Sequence, residues 1–294
     1  MSGHLIAIYS SKGGVGKSFL AANLAADLHM DTRAKVLLID FGRPFSNDIA
    51  YILNLADVKR IDNLLPMAAR LNPAMLKSYA TPHPSGVFVL ALSDGFRQLG
   101  PDLLNGPNID RVMRLLRSLY DYVIVDVGTK FDALVEPVFD LSSMILLPVT
   151  PDFLSIRQTA GDLELLRNHN FSRETIRILV NRFDKNAAVD LDAITRQLGH
   201  KPVITVPLDP ESAANLAQGT YPEKFPRHPV TQAIDQLVYV LVQRLREKST
   251  DDSSRTDVPE APAQDLDVLK RTIHEKLLES IDFKKLDTHV GSEP

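Results

Sequence analysis

The sequence predicts an α/β fold: a doubly wound, mostly parallel sheet flanked by helices, extended by a linker and a C-terminal amphipathic helix. Three observations predict it. Continuously apolar runs of strand length alternate with segments of helical periodicity over residues 1–247. Strands that are apolar at every position are buried on both faces, as parallel strands are when helices cover both sides of a sheet. A glycine-rich turn separates the first such run from the first helical segment, at the strand end where open α/β sheets bind ligands.

In chain order, residues 5–9 form the first strand. Residues 17–30 follow as a helix, with Leu20, Leu24 and Leu28 four apart on one face. Residues 36–39 are a second strand. Helices are expected near 48–55 and 62–70, and a strand at 87–92. Residues 108–119 read as a helix with Asn108 as its cap. Strands at 122–127 and 144–149 come next, then a helix at 152–168, a strand at 176–180, a helix near 190–198 and a strand at 203–206. A long helix over 229–247 closes the body, with Pro229 in its first turn, where the missing N–H costs nothing. Residues 248–265 are polar and Pro-containing and read as a flexible linker. Helical periodicity returns over 266–287, with Leu266, Leu269, Ile273, Leu277 and Ile281 on one stripe, and 288–294 is a tail. Residues 51–104 show no chemical constellation.

Composition excludes several functions. The chain has 294 residues, no Cys and no Trp. There is therefore no disulfide framework, thiolate zinc site, Cys-held iron–sulfur cluster or Cys nucleophile. No apolar run approaches the roughly 20 residues of a membrane span. The N-terminus has no basic region followed by a cleavable apolar run, so a cytoplasmic protein is expected. The net charge of −4 sits entirely in residues 248–294, which carry 7 basic and 11 acidic side chains, whereas residues 1–247 hold 26 of each. A neutral body offers no electrostatic case for gripping nucleic acid.

The strongest signal is Ser11-Lys12-Gly13-Gly14-Val15-Gly16-Lys17-Ser18. Against the general phosphate-loop pattern G-x-x-x-x-G-K-[ST], Gly16, Lys17 and Ser18 match, but Ser11 stands where the first Gly belongs. The pattern present is K-G-G-x-G-K-[ST]. Glycines let backbone N–H groups turn toward phosphate oxygens, and the helix N-terminus adds partial positive charge. Lys17 should reach the β- and γ-phosphates, and the Ser18 hydroxyl should ligate Mg²⁺. Residues 12–19, including Val15 and Phe19, are thus the candidate nucleotide-binding segment for Mg-ATP.

Lys12 together with Lys17 resembles the deviant Walker A motif of the MinD/ParA group of P-loop ATPases, the SIMIBI class, over roughly residues 1–247. The resemblance implies that Lys12 reaches across a two-fold interface to a partner subunit's nucleotide in an ATP-dependent, face-to-face homodimer. It makes Lys12, Lys17 and Asp40 the catalytic candidates. Asp126, at the end of the strand 122–126, looks like the Walker B aspartate and would hold Mg²⁺ through water. Asn181 and Arg182 resemble the family's adenine-recognition pair. Pro207, Leu208 and Asp209 resemble the loop that closes over the base.

One departure bears on catalysis. The family usually shows Asp-x-Asp after the second strand, with the second Asp positioning the attacking water. Here Asp40 matches the first, and Gly42 stands at the second. Phosphoryl transfer needs an oriented nucleophile as well as charge stabilisation, so binding should survive and ATP hydrolysis should be slow or absent. Asp48 is the acid that would substitute for the second Asp.

Composition also sorts the branches. The nitrogenase iron protein and Mrp-type scaffolds need Cys ligands, and the class's tyrosine kinases carry a C-terminal Tyr cluster that residues 248–294 lack. Residues 269–282 resemble the lead helix of CpaF/TadA-type secretion ATPases, which drive Flp-type (Tad) pilus assembly. Residues 40–55, Thr150-Pro151-Asp152 and Ser155-Ile156-Arg157 look closest to CpaE/TadZ, the MinD-like protein of the same systems. CpaE proteins commonly carry a receiver-like domain before the ATPase domain, whereas the loop here begins at residue 11, so recruitment through such a domain is not expected. The helix 266–287 holds five basic and five acidic residues. That balance favours docking on a protein, a pilus or secretion ATPase or another assembly component, over peripheral association with the inner membrane at the cell pole, which stays open. The resemblance thus implies a nucleotide-switched dimer that localises a pilus or secretion machine. A partition, flagellar or division-site positioning ATPase and a non-hydrolysing adaptor remain the alternatives.

Overall fold

Each strand-length apolar run becomes a strand of one sheet in a computed structural model of the chain, which describes residues 3–42, 48–92, 99–100, 102–187 and 189–254. The later part of the expected linker, the helix 266–287 and the tail 288–294 lie outside the described residues. The strands are β1 (His4–Tyr9), β2 (Val36–Asp40), β3 (Thr81–Pro82), β4 (Phe88–Ala91), β5 (Tyr122–Gly128), β6 (Met144–Val149), β7 (Ile176–Phe183) and β8 (Ile204–Pro207). Their order across the sheet is β3-β4-β2-β5-β1-β6-β7-β8. All neighbours are parallel except β3 against β4. The two-residue strand β3 has no periodicity to betray it, and its Pro82 is tolerated because the strand lies at the sheet edge.

The helices are α1 (Lys17–Thr32), α2 (Asp48–Ile52), α3 (Pro73–Leu76), α4 (Gly106–Leu119), α5 (Glu136–Asp140), α6 (Phe153–Asn168), α7 (Leu191–Leu198), α8 (Ser212–Leu216), α9 (Tyr221–Lys224) and α10 (Pro229–Ser254). Side chains alternate across each strand, which explains the unbroken apolar runs. Leu5, Ala7 and Tyr9 of β1 pack in one layer with Ile109, Val112 and Leu116 of α4. Ile6 and Ile8 pack in the other with Leu20, Leu24 and Leu28 of α1 and Ile234, Leu237 and Leu241 of α10.

Several expectations are corrected. Residues 61–70 form a 3₁₀ segment (Ile61–Arg70) where an α-helix was expected. Pro66 inside it lacks the N–H an α-helix needs and clashes with the preceding turn. The cap of α4 is Asn105, whose side chain accepts from the Asn108 N–H, and not Asn108 itself. The helix expected to end at residue 247 continues to Ser254, because no Gly or Pro interrupts the chain before Pro259 and extending a formed helix is easy. Residues through Leu245 group as one unit, and Arg246 begins a second, of which only the end of α10 is described.

Asn23 ties α1 to the start of α9. Its amide donates to the Phe19 carbonyl at 2.7 Å, and its oxygen accepts from the Tyr221 N–H at 2.7 Å, with Asn23 and Tyr221 both fully buried. Asn23→Ala strands a buried N–H and should cost about 1–3 kcal/mol. Urea unfolding monitored by circular dichroism checks this, and an unchanged midpoint contradicts it.

Candidate functional site

The parallel register brings the carboxyl ends of β1, β2 and β5 together, and the loop at residues 10–16 crosses above them into α1. Gly14 and Gly16 have φ of 78° and 95°, left-handed values that other residues rarely hold. A Cβ on Gly16 would lie 2.3 Å from the Asn181 amide nitrogen. That amide donates to the Val15 carbonyl at 2.8 Å, so the close approach of Asn181 is what shapes the loop. A Cβ on Gly13 or Gly14 would meet nothing within 4 Å, which leaves their backbone open to a ligand. No side chain caps α1 at Gly16, so its first N–H groups are available to an anion. Lys17 is buried, and its Nζ donates to the Lys12 carbonyl at 3.1 Å.

Asp40 and Asp126 are direct partners in the β2–β5 register, and both are buried. Ser18 Oγ donates to Asp126 Oδ2 at 2.5 Å, and the Gly128 N–H reaches Oδ1 at 3.3 Å. Asp40 accepts from the N–H groups of Gly42 (3.1 Å) and Ile49 (3.4 Å). Burial first, and then the neighbouring Asp126, push the Asp40 carboxyl up to about 7. Burial also raises Asp126, against the hydrogen bond from Ser18 and the charge of Lys17. Gly13, Gly14, Lys17, Ser18, Asp40 and Asp126 line one cavity of about 540 Å³, in the range of ligand pockets.

Lys12 and Val15 line neither this cavity nor its neighbour. Lys12 Nζ instead bonds both oxygens of Asp152, at 2.8 and 2.9 Å, within the chain. Asp152 caps α6 through the Ser155 N–H and accepts the Thr150 hydroxyl at 2.6 Å. Burial opposes its charge, but the bonds from Lys12 and Thr150 outweigh this and hold it below the usual carboxylate range. Farther along α6, buried Asp162 accepts from the Ser11 N–H at 3.0 Å.

A second cavity, of about 240 Å³, shares Gly16, Phe19, Arg182 and Leu216 with the first. Asn181, Arg182, Pro207 and Asp209 line it, so the residues expected on the base side do meet there. Arg182 holds a φ of 56°. Asp209 spends its oxygens within the chain, accepting from the Tyr221 hydroxyl, the Asn215 amide (2.9 Å) and the Glu211 N–H (2.9 Å).

Sequence reading missed Asp152 and Asp162 as the acids that hold the loop, and Tyr221 and Asn215 as the groups that hold Asp209. Asp152 stands in the Thr150-Pro151-Asp152 turn singled out above, but only the fold shows that it meets Lys12, and the other three lie in no motif. It also passed over residues 51–104, yet Tyr51, 77% exposed, and Ile52 line the larger cavity beside Asp48. Only the position of α2 after β2 could have pointed there.

Fold and site together define an α/β protein with a phosphate-type loop at the carboxyl edge of a parallel sheet. Residues 6–222 match the CobQ/CobB/MinD/ParA nucleotide binding domain, and the chain belongs to that family. It is 28% identical over 189 residues to the septum site-determining protein MinD of Thermotoga maritima, covering 62% of this chain and 65% of that relative's length. The fold is that of a ParA family ATPase from Chlorobium tepidum (TM-score 0.72, 23% identity, 80% of this chain and 98% of that one). It also matches the Pyrococcus horikoshii MinD complexed with Mg-ADP (TM-score 0.66, 18% identity, 81% and 95%).

Two outcomes follow from this geometry. Gly16→Ala places a Cβ against Asn181 at a left-handed φ, a strain of about 1–3 kcal/mol. It should lower both the melting temperature and nucleotide binding, and parent-like calorimetry would contradict it. An unfolded Asp titrates near ~3.9. With its folded pKa raised to about 7, Asp40 keeps a proton that the unfolded chain has released across that window. Its contribution is therefore fully present below the window and is lost as pH rises through it. Asp40→Asn should flatten this decline by up to about 1.4 kcal/mol per pH unit, read from urea melts between about pH 4 and 8.

Proposed function

We propose that the chain binds ATP with Mg²⁺ through a deviant Walker A loop and uses nucleotide occupancy to switch into a face-to-face homodimer. The observation that carries this reading is the convergence of Lys17, Ser18, Asp40 and Asp126 on one cavity beneath the glycine loop. The residues fit the ion as well as the nucleotide. The Ser18 hydroxyl and Asp126 carboxylate stand 2.5 Å apart, a donor set suited to Mg²⁺, which keeps most of its waters and takes one or two protein oxygens. Bound Mg²⁺ supplies charge neutralisation between phosphate oxygens. Ser18 and Asp126 orient that charge, Lys17 faces the phosphates, and the amides of residues 13–18 bind their oxygens. The neighbouring cavity takes the base.

Lys12 serves the partner subunit in this reading, and Asp152 is its resting place. The pair is 25% and 47% exposed at its two side chains, and an ion pair that wet is worth about 0.2–1 kcal/mol. Exchanging Asp152 for a partner's phosphate therefore costs little.

Hydrolysis is slow in this reading. A Cβ on Gly42 would lie 3.0 Å from Asp40 Oδ1, and a Cβ on Gly128 would lie 3.1 Å from the Gly42 Cα. Glycine at position 42 brings no carboxylate to orient a water, and a Cβ there would press on Asp40 Oδ1. Asp48, exposed on the cavity wall, is the acid left to meet a water. We place the chain in the CpaE/TadZ branch, as a switch that localises a Flp/Tad-type pilus or secretion machine through residues 266–287. The MinD relative supports a second reading, a positioning ATPase for division or partition.

Titration calorimetry with Mg-ATP tests the site, and light scattering tests the switch. Lys17→Ala should weaken binding about 100-fold, the loss of at least one charge-assisted bond to phosphate in a buried site. Lys12→Ala should bind ATP yet stay monomeric when ATP and Mg²⁺ are added. No heat with the parent protein sinks the reading, and dimerisation of Lys12→Ala sinks the role of Lys12.

A further inference from the structure

A second charged cavity lies at the opposite edge of the sheet, where β7 and β8 begin. It measures about 310 Å³ and is lined by Arg173, Arg177, His200, Lys201 and Arg244, with Glu174 its only acid. Ile176, Ile178 and Val203 form its apolar part. These cations come from the turn before β7, from β7 itself, from the turn before β8 and from α10. Residues 1–247 are neutral in sum, so this concentration of positive charge is local.

The cations are poorly compensated. Arg173 donates to the Gly199 carbonyl. Arg177 Nη1 donates to the carbonyls of Ile176 (2.8 Å) and Arg173 (3.4 Å). These bonds end on neutral backbone oxygens. Arg177 Nε is buried and meets no acceptor among the described residues. Burial and then Arg244 push the Arg177 guanidinium below its usual range, with Glu174 opposing. Burial, Arg173 and Arg177 push His200 down. Like charges held together with a single acid, Glu174, among them cost energy that a bound anion would recover.

We propose that this cavity is an oxyanion site that takes a phosphate group, separate from the glycine loop. Planar guanidinium forks present paired N–H donors that match phosphate oxygens, and three arginines around one concave surface suit a doubly charged group better than a single carboxylate. At about 310 Å³ the cavity holds a phosphate group with room for part of whatever carries it, which suits a ligand that presents the phosphate at its end. A soluble phosphate monoester and a phospholipid headgroup share that chemistry.

The test is calorimetric titration of inorganic phosphate into the full chain at low salt, with excess Mg-ADP present so that the loop does not compete. A single saturable event is expected. It should weaken about tenfold or more in Arg177→Gln/Arg244→Gln, the loss of charge-assisted bonds, and persist in Lys17→Ala. Arg244→Gln alone, an exposed change, serves if the double variant melts early. No saturable event, or one lost in Lys17→Ala and kept in the double variant, overturns the proposal. Co-sedimentation with phosphatidylcholine vesicles carrying phosphatidic acid then separates the sources. Sedimentation that needs phosphatidic acid and the two arginines assigns the headgroup, and phosphate binding without sedimentation assigns a soluble ligand. Sedimentation that survives in the double variant, with no phosphate binding, also overturns the site.

Discussion

Two buried carboxylates held side by side set the terms for the rest of the molecule. Asp40 and Asp126 are register partners on adjacent parallel strands, so their backbones stand about 4.8 Å apart. Neither can move away without breaking the sheet at its centre. A pair of acids in that position is costly when both are charged, and the fold answers with donors: Ser18, Gly128, Gly42 and Ile49 all bond to them. Protonation relieves the remaining repulsion below the raised pKa of Asp40, and a cation bound there would relieve it above. The site is therefore built to be completed by positive charge.

The loop that faces these acids is held from outside itself. Asn181 at the end of β7 bonds the Val15 carbonyl, and Asp162 of α6 bonds the Ser11 N–H. Gly16 is a glycine because Asn181 occupies the space of its Cβ. The shape of the phosphate-facing segment thus depends on strands and helices that come far later in the chain. That dependence joins the two cavities, since the side chain that pins the loop also lines the pocket next door.

The sheet was legible in the sequence because strands buried on both faces are largely apolar, and the seven parallel strands announced themselves that way even where Arg177 interrupts β7, Thr205 interrupts β8 and Asp126 stands near the end of β5. The loop was legible because backbone conformation constrains its glycines and phosphate chemistry constrains its lysine and serine. What stayed hidden depends on distance through space. Asp152 sits 140 residues from Lys12 and Asp162 sits 151 from Ser11; Asp152 has the look of an ordinary helix cap and Asp162 of an ordinary helix residue. The segment Ile61–Arg70 is 3₁₀ where an α-helix was expected, because Pro66 lacks the N–H that an α-helix interior needs. Tyr51 escaped notice because an exposed aromatic beside a charged helix start carries no pattern of its own.

Helix α6 connects the remaining pieces. Its cap, Asp152, holds Lys12, and one of its middle residues, Asp162, holds the start of the same loop. The two contacts differ in kind. Asp162 is buried and bonds a backbone N–H, so it fixes position. Asp152 is half-exposed and bonds a flexible ammonium group, so it fixes only where Lys12 rests. The cap bond from the Ser155 N–H and the bond from Thr150 do not involve Lys12. The side chain of Lys12 is therefore not what holds Asp152 at the head of α6. A cation that could depart while its surroundings stay rigid would serve a second site at almost no conformational cost, and that asymmetry suits the nucleotide-gated contact between subunits proposed above.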